Sequence, residues 1–269
     1  MKKVLFLFLL LTSCGNRDEI VEYYQNGAIK SVYMLKNGIK EGGSMDYDSL
    51  GNLQLKSEWA NNQLHGVQTE YFQNGRVKAL YNWMDGVKHG SYVLFAKTGS
   101  IIQTGEYYEG LLCGYQNRFE DGMLMQSRHY VLVNDSDYLN QFFVFDGFGN
   151  IKYERSLYYS IAYQERHDTV LKNKEVSMKL IMQNLNVGVD GSSEVKIVLG
   201  NFDGRFRLLE KTSLDTIKVN GLIKDLKFSF NNTGHQFKRG MILNVFKDEL
   251  GKNDTIKLFF EKHFFVIGD

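Results

Sequence analysis

His65, His89 and Cys113 stand at one offset in three successive 24-residue steps of the chain, and imidazole and thiolate are common zinc ligands. If each step is one hairpin, equivalent residues lie two strands apart, about 9.5 Å at ~4.8 Å per strand, whereas zinc holds its ligands within about 2.3 Å. The three are expected to be structural, and no metal site is predicted. Arg166, His167 and Asp168 place an imidazole between a base and an acid, but neighbours on a strand point to opposite faces, so a solvated turn is expected. His235 and His263 are read as isolated in the second domain and His129 as lying beside a strand, all three structural.

A nucleophile needs a base and an orienting group, usually in a recognisable local context. Gly-x-Ser-x-Gly, His-Glu-x-x-His, Gly-x-x-x-x-Gly-Lys and paired cysteines do not occur, and the 31 acidic residues are scattered without a distinguishing pair. No catalytic residue and no cofactor are predicted. The 32 Lys and Arg against 31 Asp and Glu leave no excess charge for a polyanion, which removes nucleic acid as a partner. The better functional case belongs to aromatic residues. Trp59, Trp83 and Tyr107 share one offset, and rings left unburied would form a flat row suited to a sugar or protein partner, with core packing as the competing role.

The elements that would carry such a row repeat along the chain. Gly27, Gly51, Gly75 and Gly99 keep a spacing of 24, followed by Gly122 and Gly149. Gly42, Gly66, Gly90 and Gly114 keep the same period, as do Gly38, Asn62, Gly86 and Gly110. Asn62 is informative, because asparagine is the non-glycine residue that best tolerates positive φ; this column is predicted to be left-handed. Two after the first glycine come Ile29, Leu53, Val77, Ile101, Leu124 and Ile151, and four before it Tyr23, Tyr47, Tyr71 and Phe95, with Arg118 breaking the fifth copy. Period-two columns of such residues read as strands with one buried face. A three-residue loop Gln73-Asn74-Gly75 would set Tyr71 opposite Val77, both apolar, whereas a two-residue loop would set it opposite Lys78; the longer loop is preferred. Each copy is then one hairpin of an antiparallel meander, stable only when several stack. Absence of proline, 26 glycines and 19 Phe, 16 Tyr and 2 Trp fit this sheet-and-turn reading.

Tyr81-Asn82-Trp83-Met84-Asp85-Gly86-Val87-Lys88-His89-Gly90 resembles a MORN repeat, and with the preceding Asn-Gly hairpin it resembles the bacterial MORN-variant repeats, including YwqK-family antitoxin-like proteins. Trp59 to Gly66 and Tyr107 to Gly114 fit the same pattern, while the first copy has Leu35 for the aromatic and Glu41 for the histidine. The resemblance implies a hairpin-repeat sheet and leaves activity open, since fold does not carry function. Past about Ser160 the period stops, but alternation persists at Val176 to Met182, Val195 to Val198, Arg205 to Leu209, Leu226 to Phe230, Met241 to Phe246 and Ile256 to Phe260. Turn dipeptides separate several of these, giving a sandwich-like second domain.

The chain opens with Lys2-Lys3 and eight apolar residues, Val4 to Leu11, too short for a hydrocarbon core that needs about 20. Leu11-Thr12-Ser13-Cys14 resembles the lipobox of bacterial lipoproteins, which implies acylation of Cys14 and a membrane anchor. Gly15 to Glu19 lacks an aspartate beside the cysteine and resembles surface-export signals of Bacteroidetes lipoproteins, which favours the outer membrane. The expected organisation is a lipoprotein signal peptide at 1–13, a tether at 14–20, MORN-variant hairpin repeats at 21–157 and an all-β sandwich-like domain at 158–269. The leading functional expectation is a lipid-anchored, non-catalytic envelope protein that binds a protein or glycan through its repeat sheet. An antitoxin or immunity protein against a partner toxin, and an envelope hydrolase, are the alternatives.

Overall fold

In a computed structural model the described residues are 17–163, 168–183, 193–209 and 214–268. Cys14 with its signal segment, Arg166, His167 and the Asp190-Gly191 turn lie outside them. The fold is all-β, with 70% of the described residues in strands and 1% helical. It comprises a long antiparallel meander of hairpins followed by further sheets. The chain divides into two compact units, Met1–Ile101 and Ile102–Asp269, so the division falls inside the hairpin region.

The first unit is built from β1 (Arg17–Tyr23), β2 (Ile29–Lys36), β3 (Ile39–Tyr47), β4 (Leu53–Ala60), β5 (Gln63–Leu64), β6 (Gly66–Tyr71), β7 (Val77–Met84) and β8 (Val87–Phe95). Its strands pair in chain order, with the short β5 on β4 beside β6. Two kinds of turn alternate. At Gly75 the loop has three residues: Gly75 N–H donates to Phe72 O, Phe72 N–H donates to Arg76 O, and Tyr71 faces Val77 in the predicted register. The same closing bonds recur at Tyr24, Asp48 and Ala96. The other turns have two residues, both at positive φ: Asn37-Gly38, Asn61-Asn62 and Asp85-Gly86. Such paired left-handed residues give the twist a right-handed hairpin needs. Gly27, Gly38, Gly42, Gly51, Gly66, Gly75, Gly86, Gly90, Gly99, Gly110, Gly114 and Gly122 all have φ between 63° and 96°.

In the second unit the hairpins continue as β9 (Ile101–Tyr108), β10 (Leu111–Glu120), β11 (Met123–Val133) and β12 (Ser136–Val144). Here the Asp121-Gly122 loop has two residues rather than three, which explains the spacing of 23 after Gly99. With one residue gone, Phe119 rather than Arg118 occupies the aromatic column and pairs with Leu124, so the apparent break is a shift of register.

Two further sheets face each other. One holds β13 (Tyr158–Tyr163), β15 (Val176–Gln183) and β18 (Ile223–Phe228); the other holds β14 (Thr169–Leu171), β16 (Ser193–Leu199), β17 (Asp215–Val219), β19 (Gly234–Lys247) and β20 (Asn253–Ile267). Strict alternation along β15 turns Val176, Met178, Leu180 and Met182 inward, and Met178, Leu180, Met182 and Leu226 meet Ile197, Ile242, Leu258 and Phe260 across the gap. Each such buried side chain contributes about 1.5–3 kcal/mol, and this is the principal apolar core of the unit. β14 lies parallel to β20, an exception to the antiparallel order.

Arg205 to Leu209, predicted to be a strand, is not one. Asp203 Oδ1 accepts from Arg205 N–H at 2.8 Å and Arg207 N–H at 2.9 Å, and the chain turns over Asp203-Gly204-Arg205-Phe206-Arg207 with Phe206 at φ 52°. An aspartate that captures its own downstream amides competes with strand pairing. Phe206 tolerates this strained conformation because its ring is buried against Phe202 and Phe259.

Candidate functional site

The alternation of the first unit places Ile20, Tyr33, Ser44, Ser57, Gln68, Tyr81 and Tyr92 in register across one face of its sheet. Ser44, Ser57 and Gln68 are buried in the middle of that row and Tyr92 at its end. Their polar atoms are matched locally: Trp59 Nε1–H donates to Ser44 Oγ at 2.9 Å, and Gln68 Nε2–H donates to Ser57 Oγ at 3.1 Å. One repeat later the Ser44 position is Gln68, whose amide is committed to Ser57. The buried Trp83 Nε1–H has no hydrogen-bond partner among the described residues.

Trp59 and Trp83 are half-buried, so packing claims one side of each ring. The other side carries a cation. Lys40 Nζ lies 4.2 Å from the Tyr33 ring centre and 4.6 Å from that of Trp59; Lys88 Nζ lies 3.9 Å from Tyr81 and 5.8 Å from Trp83. Each contact is worth about 0.5–1 kcal/mol at such a half-buried surface site and holds ammonium and ring together. The Tyr33/Lys40 and Tyr81/Lys88 pairs are two repeats apart, and that 48-residue recurrence, legible in the sequence, was the signal for the lysines. Tyr107 is half-buried on β9, opposite Leu112 in the second unit.

The metal-type residues are dispersed. His65 Nδ1 is 3.4 Å from Asp85 Oδ1 in an exposed pair, His89 is half-buried on β8 and Cys113 half-buried on β10. Asp168 accepts from Lys262 Nζ at 2.5 Å. Among the described residues no three His, Cys, Asp or Glu side chains converge as a metal site would require.

Within the second unit a cavity of about 630 Å³ is walled by Tyr108, Cys113, His129, Tyr159, Phe206 and Phe259, with Arg205 and Glu261 at its polar side. Burial, and then the nearby Glu106 charge, push the Cys113 thiol up, so it stays protonated and a poor nucleophile. Burial holds His129 below the ordinary imidazole value; its ring stacks on Tyr115 at 4.6 Å, and its buried Nδ1 has no hydrogen-bond partner among the described residues. Burial also raises Tyr159, whose hydroxyl donates to Phe259 O at 2.8 Å. Arg205 is committed to Asp135 and, at 2.6 Å, to Glu109. The walls offer apolar area and neutral polar groups, with the charged Arg205 and Glu261 on one side.

One expectation is corrected here. His235 and His263 are not isolated: His235 Nδ1 lies 2.8 Å from His263 Nε2. The register Phe237↔His263 and His235↔Phe265 makes the imidazoles diagonal neighbours on β19 and β20. A His-x-Phe sequence on each side of a hairpin was the available signal.

No protein-family model matches the chain, and no curated protein sequence matches it.

Proposed function

We propose that this is a lipid-anchored, non-catalytic interaction protein of the bacterial cell envelope, and that it takes a protein or glycan partner on the ring-and-lysine face of its hairpin sheet. The observation that carries the reading is the repeated seating of an ammonium on paired rings, Lys40 on Tyr33 and Trp59 and Lys88 on Tyr81 and Trp83. Rings present flat apolar area to sugars or side chains, and the fixed ammoniums recognise carboxylates or hydroxyls beside them. The MORN-variant pattern of the repeats supports a scaffold role, and Leu11 to Cys14 supports an anchor, with the outer membrane as the favoured location. The protonated Cys113 and the unpartnered His129 favour binding over covalent catalysis.

The test is crosslinking and affinity capture of the tagged, full-length protein from its own envelope, wild type against Lys40→Glu/Lys88→Glu, with both shown to fold by their tryptophan emission. The expected result is a protein or polysaccharide captured by the wild type and lost from the double variant. Equal capture by both, or no captured macromolecule, overturns the reading. Capture of a single toxin-like protein identifies the partner as a toxin and the role as immunity. Cys14→Ser should abolish fatty-acid labelling; persistent labelling rules out the anchor.

A further inference from the structure

We propose that His235 and His263 form a two-imidazole binding site for a late divalent transition metal, Cu(II) first and Ni(II) next. β19 and β20 pair residue for residue from Gly234↔Val266 to Lys247↔Asn253, and this ladder gives the site a stiff base. On its outward face the rings of Phe237, His263, His235 and Phe265 form a continuous row, with centres 4.9 Å, 5.0 Å and 5.1 Å apart in turn.

The two nitrogens are near enough for one metal to join them, and the affinity order of imidazole ligands sets which metal. With metal–nitrogen bonds of about 2.0 Å, two ligands at a right angle stand about 2.8 Å apart, while a tetrahedral angle needs about 3.3 Å. The Nδ1···Nε2 separation of 2.8 Å is that of the hydrogen bond the two rings share, with the nitrogens on the line between ring centres 5.0 Å apart, so one imidazole turns about its Cβ–Cγ bond to bring both lone pairs onto a metal. Square-planar or tetragonal coordination is the preference of Cu(II) and Ni(II), and Cu(II) tops the affinity order for nitrogen ligands. Both histidines bind as neutral imidazoles: His235 through Nδ1 with its proton on Nε2, His263 through Nε2 with its proton on Nδ1. The proton now between the rings is accommodated by a tautomer change, and none is lost to solvent.

The nearest cations, Arg239 over the Phe237 ring at 4.5 Å and Lys262, each have an acidic partner. Arg239 is paired with Glu261 and Lys262 with Asp168. His235 is exposed, so water completes the coordination sphere.

The experiment is titration of the detergent-purified full-length protein with Cu(II) at neutral pH, followed by electron paramagnetic resonance and by the metal-induced rise in Tm. The wild type should show one saturable site with an axial spectrum and coupling to two nitrogens. His235→Ala or His263→Ala each removes chelation and should weaken binding about 100-fold, whereas His65→Ala and His89→Ala should not change it. Unchanged binding in the His235 and His263 variants, a preference for Zn(II), or a spectrum without two-nitrogen coupling overturns the proposal. Should either alanine variant fold poorly, His263→Gln serves in its place with the same expected loss.

Discussion

Asn140 on β12 and Phe259 on β20 exchange two hydrogen bonds: Asn140 Nδ2–H donates to Phe259 O at 2.7 Å, and Phe259 N–H donates to Asn140 Oδ1 at 2.6 Å. The side-chain amide behaves as a peptide group of an adjacent strand. It ties the hairpins of the second unit to its sandwich, helped by Tyr138 Oη–H to Lys257 O at 2.9 Å. Asn140 is fully buried, so nothing solvates these atoms if the pairing is lost. Asn140→Ala should cost roughly 1–3 kcal/mol, the penalty of orphaning the buried Phe259 N–H, since Phe259 O keeps the Tyr159 hydroxyl. Urea unfolding followed by circular dichroism measures the loss, and amide exchange at Phe259 should accelerate with it; unchanged protection there would show that the pair does not join the layers.

The two-residue turns yield a graded prediction. Asn62 and Gly86 are equivalent: Asn62 N–H donates to Lys40 O, Gly86 N–H donates to Leu64 O, and their φ values are 64° and 82°. Asn62 Oδ1 additionally accepts from Lys40 N–H at 2.7 Å. A Cβ at Gly86 would touch only Gln63 at an ordinary 3.7 Å, so conformation rather than space decides. Gly86→Asn should be tolerated within about 1 kcal/mol, while Gly86→Val, β-branched at positive φ, should lose about 1–2 kcal/mol or more. Thermal unfolding read from Trp59 and Trp83 emission separates them, and equal Tm values for the two variants would refute a left-handed requirement.

His129 should make the second unit acid-sensitive. Burial lowers its folded-state value, so the native imidazole stays neutral while the unfolded chain takes up a proton near pH ~6.5. The unfolded state binds more protons in that window. Stability is therefore full above it and declines as pH falls towards the depressed native value. His129→Gln should flatten the fall of Tm between about pH 7 and 5 relative to wild type; parallel curves would assign the acid sensitivity to other groups.

Asp48 behaves in a related way at a three-residue turn. The Asn52 side-chain amide, then Asn52 N–H, and also Leu50 N–H donate to its carboxylate and hold it below the usual carboxylate range. A depressed acid contributes stability that is present above its unfolded value and is lost as pH falls through the native one. Asp48→Ala should lower Tm at neutral pH, with the gap to wild type closing in acid. A gap independent of pH would show that the carboxylate's charge is not what the turn uses.

Turn and strand were legible in the sequence because their causes are local. A left-handed residue every 24 positions and apolar columns at period two dictate hairpins before any long-range contact forms, which is why Tyr71 meets Val77 as predicted. Reading failed where one local signal outweighed another: the missing loop residue before Gly122 disguised Phe119, and Asp203 took amides that a strand at Arg205 to Leu209 would have shared. The tertiary structure alone decided the rest. Asn140 is 119 residues from Phe259, and His235 is 28 residues from His263 across a hairpin whose register sets every pairing. Composition and periodicity specify which faces are apolar, but a distance of 2.8 Å between two ring nitrogens depends on strand register and packing, which no single segment of the chain contains.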